Sequence, residues 1–118
     1  MIYTTYFARL KHLPENVMAL SIARTQPRGI ELPTVVELKP DPDLLADWKL
    51  HDIDWLKYTI RYNKQLHHLD PHKLVEGFFP SGVSDVALVC WESPEKKCHR
   101  HLVAQWLRKH GYEVQEYQ

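Results

Sequence analysis

Two apolar runs, the first nearly continuous and the second unbroken, constrain this chain more than any other feature: Val17-Met18-Ala19-Leu20-Ser21-Ile22-Ala23 and Val86-Ala87-Leu88-Val89-Cys90. Each has the length of a strand and neither carries a charge, so neither alternates between a wet and a dry face. A strand that is apolar on both faces belongs in a parallel sheet covered by helices. Ile2-Tyr3-Thr4-Thr5-Tyr6, rich in β-branched and aromatic residues, reads as the first strand. Tyr112 to Tyr117 alternates as an edge strand.

The segments between these runs carry helix and turn signals. Phe7 to Leu13 fits a helical turn or loop closed by Pro14-Glu15-Asn16. Arg24 to Pro42 holds four prolines and forms a long connection, with a short extended piece at Val35 to Leu38; connections this long are often functional. Asp43 is placed to cap a short helix carrying Leu44, Leu45 and Trp48 on one side. Asp52 or Asp54 opens a longer helix to about Leu69, in which positions 55, 58, 59, 62, 66 and 69 follow helical spacing. Asp70-Pro71 restarts a helix that ends near Gly77, and Pro80-Ser81-Gly82 makes a turn. The last helix covers about Cys98 to His110, with Leu102, Val103, Trp106 and Leu107 as its apolar stripe and Gly111 just past its end.

Strands interleaved with helices give an α/β fold: a small Rossmann-like three-layer domain, with a mostly parallel sheet of about four strands flanked by helices. Val86–Cys90, the last helix and Val114–Tyr117 then form a right-handed parallel crossover. A length of 118 residues suits one domain spanning the chain.

Composition excludes several functions. Lys plus Arg and Asp plus Glu each number 15, and the sequence pI is near 7.1; a globally basic nucleic-acid binder has a pI above about 9. The charge is nonetheless unevenly spread. Residues 96–110 hold five Lys or Arg and no acid, whereas residues 41–54 hold five Asp against Lys49 alone. No apolar run approaches the roughly 20 residues of a membrane span. Arg9, Lys11 and His12 interrupt any secretory leader. Two cysteines are too few for a disulfide-dense secreted domain, so a reducing cytoplasmic setting is expected. The four glycines are scattered, which excludes a glycine-rich dinucleotide loop and a P-loop. Any phosphate must be held by side chains and a helix N-terminus.

In open parallel sheets, ligands bind beyond the carboxyl ends of the strands. Here those ends are Tyr6, Arg24 and Cys90-Trp91-Glu92. The richest segment runs from Cys90 to His101, linking a buried strand to an amphipathic helix. Arg100 in the first helical turn opposes the helix dipole, and two roles fit it: holding an anion, or a salt bridge to Glu92. Glu92 stands where a catalytic acid or nucleophile would be, or is a solvated loop carboxylate. Cys98, at a helix N-terminus beside Lys97 and Arg100, is a candidate nucleophile, a zinc ligand with His99 or His101, or a small buried packing residue. Cys90 closes a core strand and reads as core.

Sharper motifs fail on spacing. A Cys-x5-Arg phosphatase loop is absent, because Lys96 follows Cys90 and Ala104 follows Cys98 at the required interval. A zinc site from Cys90, Cys98, His99 and His101 is crowded and lacks a C-x2-C pair. No strand-to-helix nucleophile elbow supports a Ser–His–Asp triad. His67, His68 and His72 read as solvated surface. Tyr58 and Tyr62 form an i, i+4 aromatic pair, with Arg61 and Asn63 within reach of a cleft. Trp48, Trp55 and Trp106 read as core anchors, and Trp91 is placed to stack on a ring.

Val86-Ala87-Leu88-Val89-Cys90-Trp91-Glu92 followed by Cys98-His99-Arg100-His101-Leu102-Val103-Ala104 resembles the domain of unknown function 488 family, whose hallmark is Cys-His-Arg opening a helix. Ile2–Leu10, Leu20–Arg24 and Tyr58–Asn63 are similar to its shorter single-domain members. The resemblance implies a small Rossmann-like domain with a polar pocket of Arg24, Glu92, Cys98, His99 and Arg100, and points toward nucleotides or nucleic-acid processing. Longer members carry Gly-His after the first strand and Asp before the arginine after the second. This chain has Tyr6-Phe7 and Ile22-Ala23 near those places and retains Arg24.

The leading expectation is a domain that binds a phosphate-bearing small molecule or nucleic-acid end. Arg24, Arg100, Tyr6, Tyr62 and Trp91 are its ligand-side residues, and Glu92, Cys98 and His99 its candidate catalytic groups. Cleavage or transfer at a glycosidic or phosphate ester bond fits one carboxylate near an anion clamp. This reading assigns no metal and no cofactor. The alternative is a non-catalytic interaction module stabilised by a Cys/His metal site.

Overall fold

The strands β1 (Ile2–Tyr6), β2 (Val17–Ser21), β3 (Asp85–Cys90) and β4 (Val114–Glu116) lie parallel in one sheet, in the order β2-β3-β1-β4. This computed structural model describes residues 1–93 and 95–117. The sheet is entirely parallel and flanked by helices, as the apolar runs require. β3 is buried at every position from Val86 to Cys90. β2 departs from the expectation of a strand covered on both faces. It is an edge strand with one neighbour, and Val17, Met18 and Ala19 are only half-buried. Its apolar run continues past the strand as buried Ile22 and Ala23, and the Ile22 N–H donates to the Val89 carbonyl.

The register aligns Tyr6 with Cys90 and Ser21 with Val89, so the carboxyl ends of the three strands finish side by side. β3 and β4 are joined by a parallel crossover that passes over β1. A 3-10 segment at Phe7–His12 follows β1.

Among the described residues, four α-helices complete the fold: α1 (Pro42–Lys49), α2 (Trp55–His67), α3 (Pro71–Phe78) and α4 (His99–Lys109). Two of them, α2 and α3, begin at a side-chain cap. The carboxylates of Asp54 and Asp70 accept backbone N–H groups of Lys57, His72 and Lys73. At α1 the expected cap, Asp43, lies inside the first turn and Asp41 holds the cap position. Proline at the first helical residue sets this boundary, since its missing N–H and fixed φ suit that place. The expected extended piece at Val35–Leu38 is a 3-10 turn over Val36–Leu38, preceded by a bridge between Ser21 and Thr34. Pro33 offers no N–H to lengthen that pairing. α4 ends as expected, with Gly111 at φ +95° accepting the left-handed turn into β4.

α4 packs on β1, β3 and β4 and against α2, which packs on α1. The core runs between α2, α4 and the sheet through Tyr62, Leu66, Leu88, Val103 and Leu107. Among the described residues, no helix is long and apolar enough to cross a membrane.

Candidate functional site

Because β2 and β3 end level with each other, the residues that follow them face α1 and α2 across a cleft of 340 Å³. Ala23, Arg24 and Thr25 come from the end of β2, and Trp91 and Glu92 from the end of β3. Lys97, Cys98 and His99 enter at the start of α4. Pro40, Leu45, Trp48 and Lys49 lie on the approach to α1 and along it, and α2 adds Trp55 and Tyr58.

One wall is aromatic. The Trp55 and Tyr58 rings stack at 4.8 Å with 13° between planes, and Trp48 lies 5.4 Å from Trp55. Opposite, the Trp91 indole is 47% exposed and is fixed at both ends. Its N–H donates to the Thr25 carbonyl at 3.0 Å, and its ring meets Phe7 edge-on at 5.2 Å. Burial raises the Tyr58 hydroxyl above its ordinary value, so it stays protonated.

The charged lining is mostly cationic. Arg24, Lys49 and Lys97 face one carboxylate, Glu92. Arg24 Nε donates to the Pro40 carbonyl at 2.6 Å, which holds the guanidinium across the mouth while its side chain remains exposed.

His99 is buried at the floor, and its Nε2 lies 2.7 Å from the Ile22 carbonyl. A carbonyl oxygen only accepts, so in the neutral ring Nε2 carries the proton and Nδ1 keeps a bare lone pair. Nδ1 faces Cys98 Sγ at 3.7 Å. Burial pushes the ring's pKa down to about 4, and His99 is neutral at pH 7.

The family model of the active DUF488-N3 subclade matches residues 2–111. The chain belongs to this family. No curated protein and no solved structure matches the chain. In this DUF488-N3 domain the matched span contains every residue lining the cleft.

Arg24, Glu92, Trp91, Cys98 and His99 come together on the cleft as expected from the strand ends. Arg100, Tyr6 and Tyr62 do not. Arg100 is fully buried, and its guanidinium is consumed inside the domain. Nε and one terminal nitrogen grip the Glu116 carboxylate at 3.0 and 2.8 Å. The other terminal nitrogen donates to Cys90 Sγ at 3.1 Å and to the Glu92 backbone carbonyl. The expected salt bridge therefore exists, but with Glu116 instead of Glu92, and Arg100 does not line the cleft. Tyr6 lies beneath this guanidinium, 5.6 Å from its ring centroid, as a cation–π partner. Tyr62 is core: its hydroxyl donates to the Leu38 carbonyl at 2.6 Å and its ring meets the edge of His99 at 5.4 Å. Arg61 is also engaged, by Asp47 at 2.7 Å.

Cys90 and Cys98 are joined as a disulfide that links the end of β3 to the start of α4. In this form Cys98 is no free nucleophile. Their sulfurs and a nitrogen of His99 lie within 4.8 Å of one another, and His101 is not part of that group.

Lys49, Lys97, Trp48, Trp55 and Tyr58 line the cleft without having been assigned to it from sequence. The tryptophans sit on the apolar stripes of α1 and α2, where spacing reads the same for a wall residue as for a core residue. Their half-burial separates the two.

Proposed function

We propose that this DUF488-N3 domain binds a ligand combining a planar ring with a phosphate, a nucleotide or the end of a nucleic-acid strand, in the cleft beyond β2 and β3. The observation that carries this reading is the pairing of an aromatic wall with three cations around one cavity. The cavity volume is within the range of small-ligand sites, roughly 300–1,000 Å³. Stacking on exposed aromatic rings contributes about 1–3 kcal/mol per base. Exposed Trp91 and half-buried Trp48 and Trp55 supply that term, and Arg24, Lys49 and Lys97 take the phosphate. The anion clamp thus shifts from Arg100 to side chains that still have free donors.

For chemistry the reading assigns Glu92 as the proton-transfer group, because it is the one carboxylate among the lining residues and stands next to the clamp. Cleavage or transfer of a glycosidic or phosphate ester bond needs such a group beside a stabilised anion.

The test is calorimetric titration and thermal shift with nucleoside monophosphates and short single-stranded oligonucleotides. Saturating ligand is expected to raise the melting temperature. Arg24→Ala and Trp91→Ala should each weaken binding about tenfold or more with the circular dichroism spectrum unchanged, one clamp or stacking contact being worth roughly 1.4 kcal/mol or more. A nucleoside lacking phosphate should bind more weakly than its monophosphate. Absence of stabilisation by every phosphate-bearing probe, or wild-type affinity in both variants, overturns the proposal.

A further inference from the structure

A buried Cys, Cys and His set lies against the cleft floor, at the junction where β3 passes into α4. Each member is held by a rigid element: Cys90 ends β3, Cys98 is the N-cap of α4, and His99 is its first residue. We propose that in the dithiol form Cys90, Cys98 and His99 bind one thiophilic divalent cation of the zinc class, with a coordination position left open toward the cleft.

Three independent observations support this. The first is spacing. A tetrahedral ion with sulfur at about 2.3 Å and imidazole nitrogen at about 2.0–2.1 Å sets its ligand atoms roughly 3.5–4 Å apart. The Cys98 Sγ to His99 Nδ1 distance is 3.7 Å, and all three ligand atoms lie within 4.8 Å of one another while the two sulfurs are joined, so reduction need only part the sulfurs to reach that spacing. The Cα atoms of Cys90 and Cys98 stand 7.5 Å apart, wider than the about 4.4–6.8 Å usual for a disulfide. An ion between the two thiolates fills that span with strand and helix left in place.

The second is orientation. His99 offers Nδ1 to the sulfurs because Nε2–H is already given to the Ile22 carbonyl. That arrangement, one nitrogen on backbone oxygen and the other bare, is the usual support of a metal-bound histidine, and it fixes both tautomer and ring plane.

The third is charge. Arg100 donates to Cys90 Sγ at 3.1 Å, a contact that favours the thiolate a metal requires. Among the described residues the set supplies three ligands and no fourth. Structural zinc sites close with four protein ligands, whereas three leave a place for water or substrate. Cys98 and His99 both line the cleft, so the open place lies on that side.

The inference stands apart from the ligand reading, since its test needs no organic ligand. Protein held in a thiol reductant and stripped by chelator is titrated with cobalt. About one cobalt per chain is expected, with a thiolate-to-cobalt charge-transfer band and the intense visible bands of a tetrahedral site, all abolished by zinc. Cys98→Ala should lose the charge-transfer band and retain circular dichroism. Should that variant fail to fold, wild-type protein decides the matter, because equimolar zinc is expected to shield both thiols from a thiol-modifying reagent. A cobalt spectrum without the thiolate band overturns the proposal. So does cobalt uptake unchanged in Cys98→Ala, which would locate the ion at surface histidines such as His67 and His68. Thiols that react equally with and without zinc overturn it as well.

Discussion

Arg100 is the residue on which the most elements depend. Its guanidinium holds β4 through Glu116, β3 through Cys90 and the loop after β3 through the Glu92 carbonyl, with Tyr6 of β1 beneath it. Truncation leaves the Glu116 carboxylate, which is 16% exposed, without a counter-ion and opens a void beside three strands. Arg100→Ala is expected to lower the unfolding free energy by about 3–5 kcal/mol, as measured by denaturant titration, because breaking one side of a buried pair strands the other. Glu116→Gln, which keeps an acceptor, should cost less. Ligand affinity should be preserved in whatever fraction of Arg100→Ala remains folded. This outcome reverses what an anion-holding Arg100 implies, and the reason is legible in the chain. An arginine in the first turn of a helix signals a nearby negative group, but the periodicity does not say which one. Glu92 is close in sequence, yet it presents only its backbone to Arg100. Glu116 is sixteen residues on and arrives through the pairing of β4 with β1. Glu92, Trp91 and Arg24 were legible because a strand end fixes where a residue stands regardless of register.

At the scale of elements, the four strands fall on the four runs that announce them, while one cap, Asp43, and one extended piece, Val35–Leu38, do not form as expected. Asp54 and Asp70 start α2 and α3 with side-chain bonds to the first turn, whereas Asp41 occupies the α1 cap position without one. Asp54→Ala and Asp70→Ala are each expected to cost about 1 kcal/mol. Asp41→Ala should cost measurably less, and thermal unfolding of the three variants side by side checks the ranking. The helices were legible because their signals are local: a cap, a proline and a stripe lie within one turn of each other. The Val35–Leu38 segment was not, since an extended stretch becomes a strand only if a neighbour offers its edge. Beside β2 only Thr34 finds one. The cleft wall escaped for a related reason. Trp48 and Trp55 obey the same spacing as core residues, and only the cleft they share with the strand ends leaves them half-open.

At the scale of the whole molecule, the parallel sheet follows from the charge-free runs, but its order does not. A hydrophobic pattern records how deeply a strand is buried and not which strand lies beside it. β4 is the shortest strand and still covers one side of β1, with the Tyr117 N–H donating to the Thr4 carbonyl at 2.8 Å. Removal of residues 112–118 is expected to abolish cooperative unfolding and to give aggregated protein by size-exclusion chromatography, since it bares an interior strand edge and leaves Arg100 without its carboxylate. The order β2-β3-β1-β4 also has a consequence for the nascent chain. Of the four strands, β1 is made first, and its two neighbours are made third and fourth. At about 5–20 residues per second, the stretch from Tyr6 to Asp85 takes on the order of ten seconds to translate. Throughout that interval β1 emerges with two unpaired edges. Of the four strands, the one made first is thus enclosed last, and pairing of the sheet begins only when β3 arrives.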